Sequence, residues 1–235
     1  MTTSSALDSF LDKWRTRWPE WSVAEPFVPL AQRNLVVAWF TLLQEFDDIL
    51  NTGGDPMPAD AKLAWWGEEL RSWAGQRSRH PLGRLLEPLR APWAELAQAL
   101  PALVDARAAP LDPAQAMAGL QAYAAAVAAV EAVVFDTPAR GDVAAPVLVQ
   151  TLAQRLHEAG VAAVPRSLLD AGHGDAAQLW AQQLLAGWPA RVAGPRPRRL
   201  YASLARSRLQ ARAQGRELKV TPVRTLLRTW WAGRG

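Results

Sequence analysis

From Leu30 to Asn51 apolar residues recur every three or four positions, with Leu35, Trp39, Leu42, Phe46 and Ile49 on one stripe. Gln44, Asp47, Asp48 and Asn51 fall on the polar stripe beside it. Such a pattern demands a helix that buries one side, and Thr52-Gly53-Gly54-Asp55-Pro56 ends it. The same period recurs along the chain, and no apolar/polar alternation lasts long enough to predict a strand bounded by hairpin turns. The sequence therefore predicts an all-α fold.

Further helices are predicted near Ala6 to Arg17, from Asp60 as a cap through about Ala74, and over Leu82 to Leu100 with interruptions at Pro88 and Pro92. Beyond these come Pro113 to Val134, Val143 to Ala159 and Asp175 to Leu185. Asp112 followed by Pro113 marks a clear helix start, because the side chain can cap and proline suits the first turn. Val220, Val223, Leu226, Leu227, Trp230 and Trp231 form the apolar face of an amphipathic terminal helix, with Arg224 and Arg228 on its other side. Val192 to Arg199 reads as a flexible joint.

At 235 residues the chain can bury a sizeable core, and residues 1–235 are read as one helical bundle with a basic C-terminal helical segment, 195–235. No run of eighteen or more uncharged apolar residues marks a membrane span, and Met1 to Leu11 lacks the basic and apolar regions of a secretory signal. The absence of cysteine excludes a disulfide framework and thiolate zinc sites, and is compatible with a cytoplasmic location. Of the histidines His80, His157 and His173, none has a metal-ligand partner at i+4. The twelve tryptophans are read mostly as core residues.

Charge is unevenly spread. Residues 195–235 hold eleven Lys+Arg and one acid, Glu217, so this segment carries +10 and the rest −6. Arg196, Arg198, Arg199, Arg206, Arg208 and Arg212 interleave with Leu200, Tyr201, Leu204 and Leu209. The pattern suits a helix packed on the bundle with its charges in water. A peripheral contact with an anionic membrane at its inner face is the second reading. Nucleic acid comes last, because no binding motif accompanies the charge.

Trp21-Ser22-Val23-Ala24-Glu25-Pro26-Phe27-Val28-Pro29, Arg33, the Asp47 helix, Lys62-Leu63-Ala64-Trp65-Trp66 with Glu69-Leu70, and His80-Pro81-Leu82 follow one another in an order and spacing that resemble the squalene/phytoene synthase family. Val164-Pro165-Arg166-Ser167-Leu168-Leu169 is similar to the segment after that family's second aspartate motif. The resemblance implies an isoprenoid-synthase fold and head-to-head joining of two prenyl diphosphates. In that chemistry two facing aspartate motifs hold Mg2+, which neutralises the leaving diphosphate above a dry apolar cavity.

By position, the resemblance makes Asp47, Asp48 and Asn51 the metal-binding set, and Arg33, Gln44, Lys62 and Gln150 candidate substrate-binding residues. Read from the residues alone, Asp47 and Asp48 also suit the solvated end of an amphipathic helix, and Arg33 and Lys62 ordinary surface charges. Gln44 stands where the family commonly has arginine. Aligning Gln150 with the family's second motif puts His157 and Val161 where two aspartates are expected, with Glu158 about 100° off their face. Losing even one transition-state electrostatic contact costs roughly 2.7–4 kcal/mol. The sequence therefore points to a degenerate active site, a pseudoenzyme that binds a prenyl diphosphate or similar apolar anionic lipid. An active Mg2+-dependent prenyltransferase and a non-enzymatic assembly or scaffold protein with a protein partner stay open as alternatives.

Overall fold

The computed structural model describes residues 3–172, 174–217 and 221–234, so His173 and Val220 lie outside the described residues. Every regular element among these is helical. In chain order they are α1 (Thr3–Arg17), α2 (Trp21–Ala24), α3 (Arg33–Leu50), α4 (Met57–Ala74), α5 (Gly83–Leu86), α6 (Trp93–Ala99), α7 (Pro101–Asp105) and α8 (Pro113–Val134). These are followed by α9 (Ala144–Ala159), α10 (Arg166–Asp170), α11 (Ala176–Ala186), α12 (Arg196–Ala213) and α13 (Pro222–Arg234).

Local chemistry sets the boundaries. At α8 the Asp112 carboxylate accepts from the Gln115 backbone N–H at 2.8 Å, and Pro113 occupies the first turn as expected. Asp175 caps α11 by accepting from Ala177 and Gln178 N–H groups. Prolines break the predicted Leu82–Leu100 helix into α5, a 3-10 turn and α6. Two expectations are corrected. Asp60 does not cap α4, which starts one turn earlier where Asp55 accepts from Met57 N–H; Asp60 instead pairs with Arg107. Nor is Val192 to Arg199 a joint throughout, since Pro195 starts α12 and Arg196–Arg199 form its first turn.

α3 lies at the centre, against α1, α4, α7 and α9, while α9 packs on α8, α11 and α12. One continuous set of buried apolar residues runs from Leu11 to Ala213. Tryptophans dominate it: Trp14, Trp18 and Trp21 surround Phe40 and Tyr201, and Trp39, Trp66 and Trp73 surround Trp93 and Phe46. By length and composition α8 is the described helix apolar enough to cross a bilayer. Its place is inside the bundle, where Leu120, Ala124 and Val127 are buried and Glu131 is ion-paired.

Candidate functional site

Asp47 and Asp48 close the C-terminal half of α3, where acids oppose the helix dipole. Two arginines from other elements offset that cost by taking the last carbonyls. Arg107 Nε donates to Ile49 O at 3.1 Å, and Arg155 Nη1 donates to Leu50 O at 3.2 Å. Asn51 folds back, its amide donating to Asp47 O at 2.8 Å while its Oδ1 faces Arg155 Nη1 at 3.5 Å.

The rim opposite Asp48 is occupied by a cation that belongs to the chain. Arg17, at the end of α1, donates from Nη1 to Asp48 Oδ1 and from Nη2 to Glu158 Oε1, both at 2.9 Å. Gln44 also donates to Asp48 Oδ1 at 3.0 Å and accepts from Trp18 Nε1, and Gln154 donates to Glu158 Oε1 at 2.8 Å. One guanidinium thus ties α1 to α3 and α9 together. Partial burial works against the Arg17 charge, but Glu158 and Asp48 outweigh it and hold its pKa above the ordinary value.

Beside Asp47 a pocket of about 10 Å³ is lined by Asp47, Tyr123, Gln150, Arg198 and Tyr201 among others, room for about one water. Arg198 on its wall belongs to a buried ion pair. Arg198 Nε donates to both Glu131 oxygens at 3.0 Å, and Nη2 contacts Oε1. Trp39 Nε1 donates to the same carboxylate at 2.7 Å, and Arg198 Nη1 donates to Gln150 Oε1 at 2.8 Å. The guanidinium also lies 5.4 Å from the Phe40 ring centroid and 5.7 Å from that of Tyr201.

Asp47 carries no ion pair or side-chain hydrogen bond among the described residues. Asp47 is half-buried, and the desolvation of its carboxyl, with Asp48 beside it, pushes its pKa up to about 8; Arg198 and Arg17 pull the other way. Burial, with Asp47 nearby, likewise drives the Tyr123 hydroxyl well above its usual value.

Several expected site residues stand elsewhere. Arg33 starts α3, fourteen residues or about 21 Å along the axis from Asp47, and its Nε donates to Val28 O. Lys62 pairs with Glu45 at 2.6 Å, about 160° around α3 from Asp47. His157 is exposed, and Val161 lies beyond the end of α9, which stops before Gly160 at φ +57°. Glu158, expected off the site, is instead the acid that reaches the rim through Arg17. His80 packs on Phe10 and Trp66, and its Nδ1 accepts from Leu82 N–H, a structural role. Gln44 and Gln150 do stand at the site, but as hydrogen-bond partners of Asp48 and Arg198.

Residues 19–135, about half of the chain, match the squalene/phytoene synthase family. The chain belongs to this family. The crystal structure of squalene synthase HpnC from Alicyclobacillus acidocaldarius superposes with a TM-score of 0.55 at 17% identity, covering 99% of this chain and 92% of that one. That likeness establishes the all-α isoprenoid-synthase fold. No curated protein matches the chain.

Prenyltransferases of the family are typically Mg2+-dependent. The residues at this rim do not fit that ion. Mg2+ requires near-octahedral oxygen ligands. Here Asp48 and Glu158 already accept from Arg17 and from Gln44 or Gln154, and Asn51 is turned to backbone and Arg155. Among the described residues no group of three or more Asp, Glu, His or Cys could hold a metal.

Sequence reasoning missed Arg17, Glu131 and Arg198. Glu131 had a signal, since a lone acid within the apolar α8 must find a buried partner. Arg17 and Arg198 had none, being single arginines among many.

Proposed function

We propose that this chain is a non-catalytic member of its family, binding a prenyl diphosphate or similar apolar anionic lipid without ionising it. The Arg17 bridge carries the reading. A +1 guanidinium stands between Asp48 and Glu158, where family chemistry would need a divalent ion, and it brings no empty coordination position for a leaving diphosphate. The lipid-binding half rests on the family's substrate class and on the arginine-rich face of α12 and α13.

Farnesyl diphosphate with Mg2+ tests both halves. Saturable binding in calorimetry without pyrophosphate release is the expected result. Release that needs Mg2+ and disappears in Asp47→Ala overturns the non-catalytic half. Neither binding nor release overturns the lipid-binding half and favours the scaffold role.

A further inference from the structure

α13 leaves an apolar face uncovered. Val223, Leu227 and Trp231 are 68%, 56% and 68% exposed, and Leu226 is 46% exposed. On a helical wheel these residues occupy one sector, while Thr229 and Gly233, both buried, face the bundle. The sector is bordered by arginines. Arg224 and Arg228 follow one edge, and Arg234, at the end of the helix, falls within the sector, its guanidinium carbon 3.6 Å from the Trp230 ring centroid. α13 contains no acidic residue.

Along the Arg228 edge runs a groove of about 370 Å³ between α12 and α13. Trp188 and Trp231 give it apolar walls, Arg191, Arg199, Arg206 and Arg228 also line it, and no acid does. Two of these cations are committed to neutral oxygens. Arg228 Nη1 donates to Ser207 Oγ at 2.6 Å, and Arg199 donates to the carbonyls of Gly194, Ala232 and Gly233. Arg206 Nε is buried with no hydrogen-bond partner among the described residues. Burial, and then Arg224 and Arg206 beside it, holds the Arg228 pKa below its ordinary value. Like charges crowded in a half-buried place are relieved by an anion. The neighbouring groove across Arg228 differs, since Glu20 and Glu217 line it.

We propose that α13 docks on an anionic phospholipid bilayer, with Val223, Leu227 and Trp231 in the interfacial zone and lipid phosphates in the arginine groove. Exposed aliphatic and Trp side chains edged by arginine, with no acid on the helix, are the features that favour an in-plane interfacial helix. Complementary charge then selects lipids with anionic headgroups. The inference takes the lipid-binding half of the proposed function to one surface, about a third of a turn around α12 from Arg198 and about half a turn from Tyr201.

The full chain is tested by co-sedimentation with vesicles of phosphatidylcholine alone or mixed with phosphatidylglycerol. At low salt, binding at least tenfold stronger to the mixed vesicles is expected, with a blue shift of Trp emission. Binding should fall as salt screens the arginines. The Leu227→Ser/Trp231→Ser double variant changes exposed side chains only; it should keep the wild-type unfolding temperature and lose the binding. Circular dichroism checks the first point. Absence of wild-type binding, equal binding to both vesicles, or full binding by the variant overturns the proposal. So does a dimer in sedimentation velocity that the double variant abolishes, because a second copy would then cover the face. Inorganic phosphate that binds as tightly as the mixed vesicles would show free anion, not membrane, to be the ligand and would also overturn it. Vesicle partition and pyrophosphate release are separate readouts, so either can fail alone.

Discussion

Asp47 is a carboxyl held where ionisation is penalised, and its pH dependence follows with a definite sign. In the unfolded chain an aspartate titrates near 3.9, whereas here it does so at about 8. Between those values the folded state holds the extra proton, so this residue lowers stability progressively as pH rises and adds no further slope above about 8. Asp47→Asn removes the slope. Its unfolding temperature should exceed that of the wild type by several degrees at pH 9 and by much less at pH 5, as read by thermal denaturation. A pH-independent difference would refute the raised pKa of this half-buried carboxyl. Asp47 and Asp48 were legible because they ride the α3 period. The partner of Asp48 was not, because Arg17 reaches it from an element distant in sequence, and the reach of a long side chain leaves no periodic trace.

Among the elements, α4 shows how one buried acid fastens a helix to the loop after it. Glu69 accepts from Trp73 Nε1 on its own helix, from the Arg79 and His80 backbone N–H groups, and from Arg79 Nε. Burial acts against its charge, but the four donors prevail and hold its pKa below the usual carboxylate range. Its contribution is therefore present above the ordinary value near 4.5 and is lost as pH falls through the lowered one. Glu69→Gln should cost about 1.5–3 kcal/mol at pH 7, measured by denaturant unfolding, with the gap closing toward pH 3. An equal cost at both pH values would contradict the assignment. Helices with an Asp cap, such as α8, were readable to the residue, since the signal is local. The starts of α4 and α12 were not. Pro56 and Pro195 stand at the cap positions and supply no side-chain cap hydrogen bond, so neither start carries the usual signal at the cap residue itself.

At the scale of the whole molecule, the apolar core encloses one polar cluster. Arg198 and Glu131 join α12 to α8, and Gln150 and Trp39 bring in α9 and α3. Arg198→Met leaves Glu131 buried without a counter-charge and should cost about 3–5 kcal/mol. Adding Glu131→Leu should recover a large part of that loss, because an apolar pair of similar volume often replaces a buried ion pair at little cost. Urea midpoints of the single and double variants check this, and additive losses would show the two residues to be independent. The all-α class was legible because it depends on periodicity alone. The filled interior was not, since it depends on which side chains meet. The Arg17 bridge has one more consequence. A guanidinium stays protonated throughout the physiological range, so mild acidification cannot unlatch α1 from the two helices it clasps. Release would have to come from a competing polyanion or from movement of α1 itself.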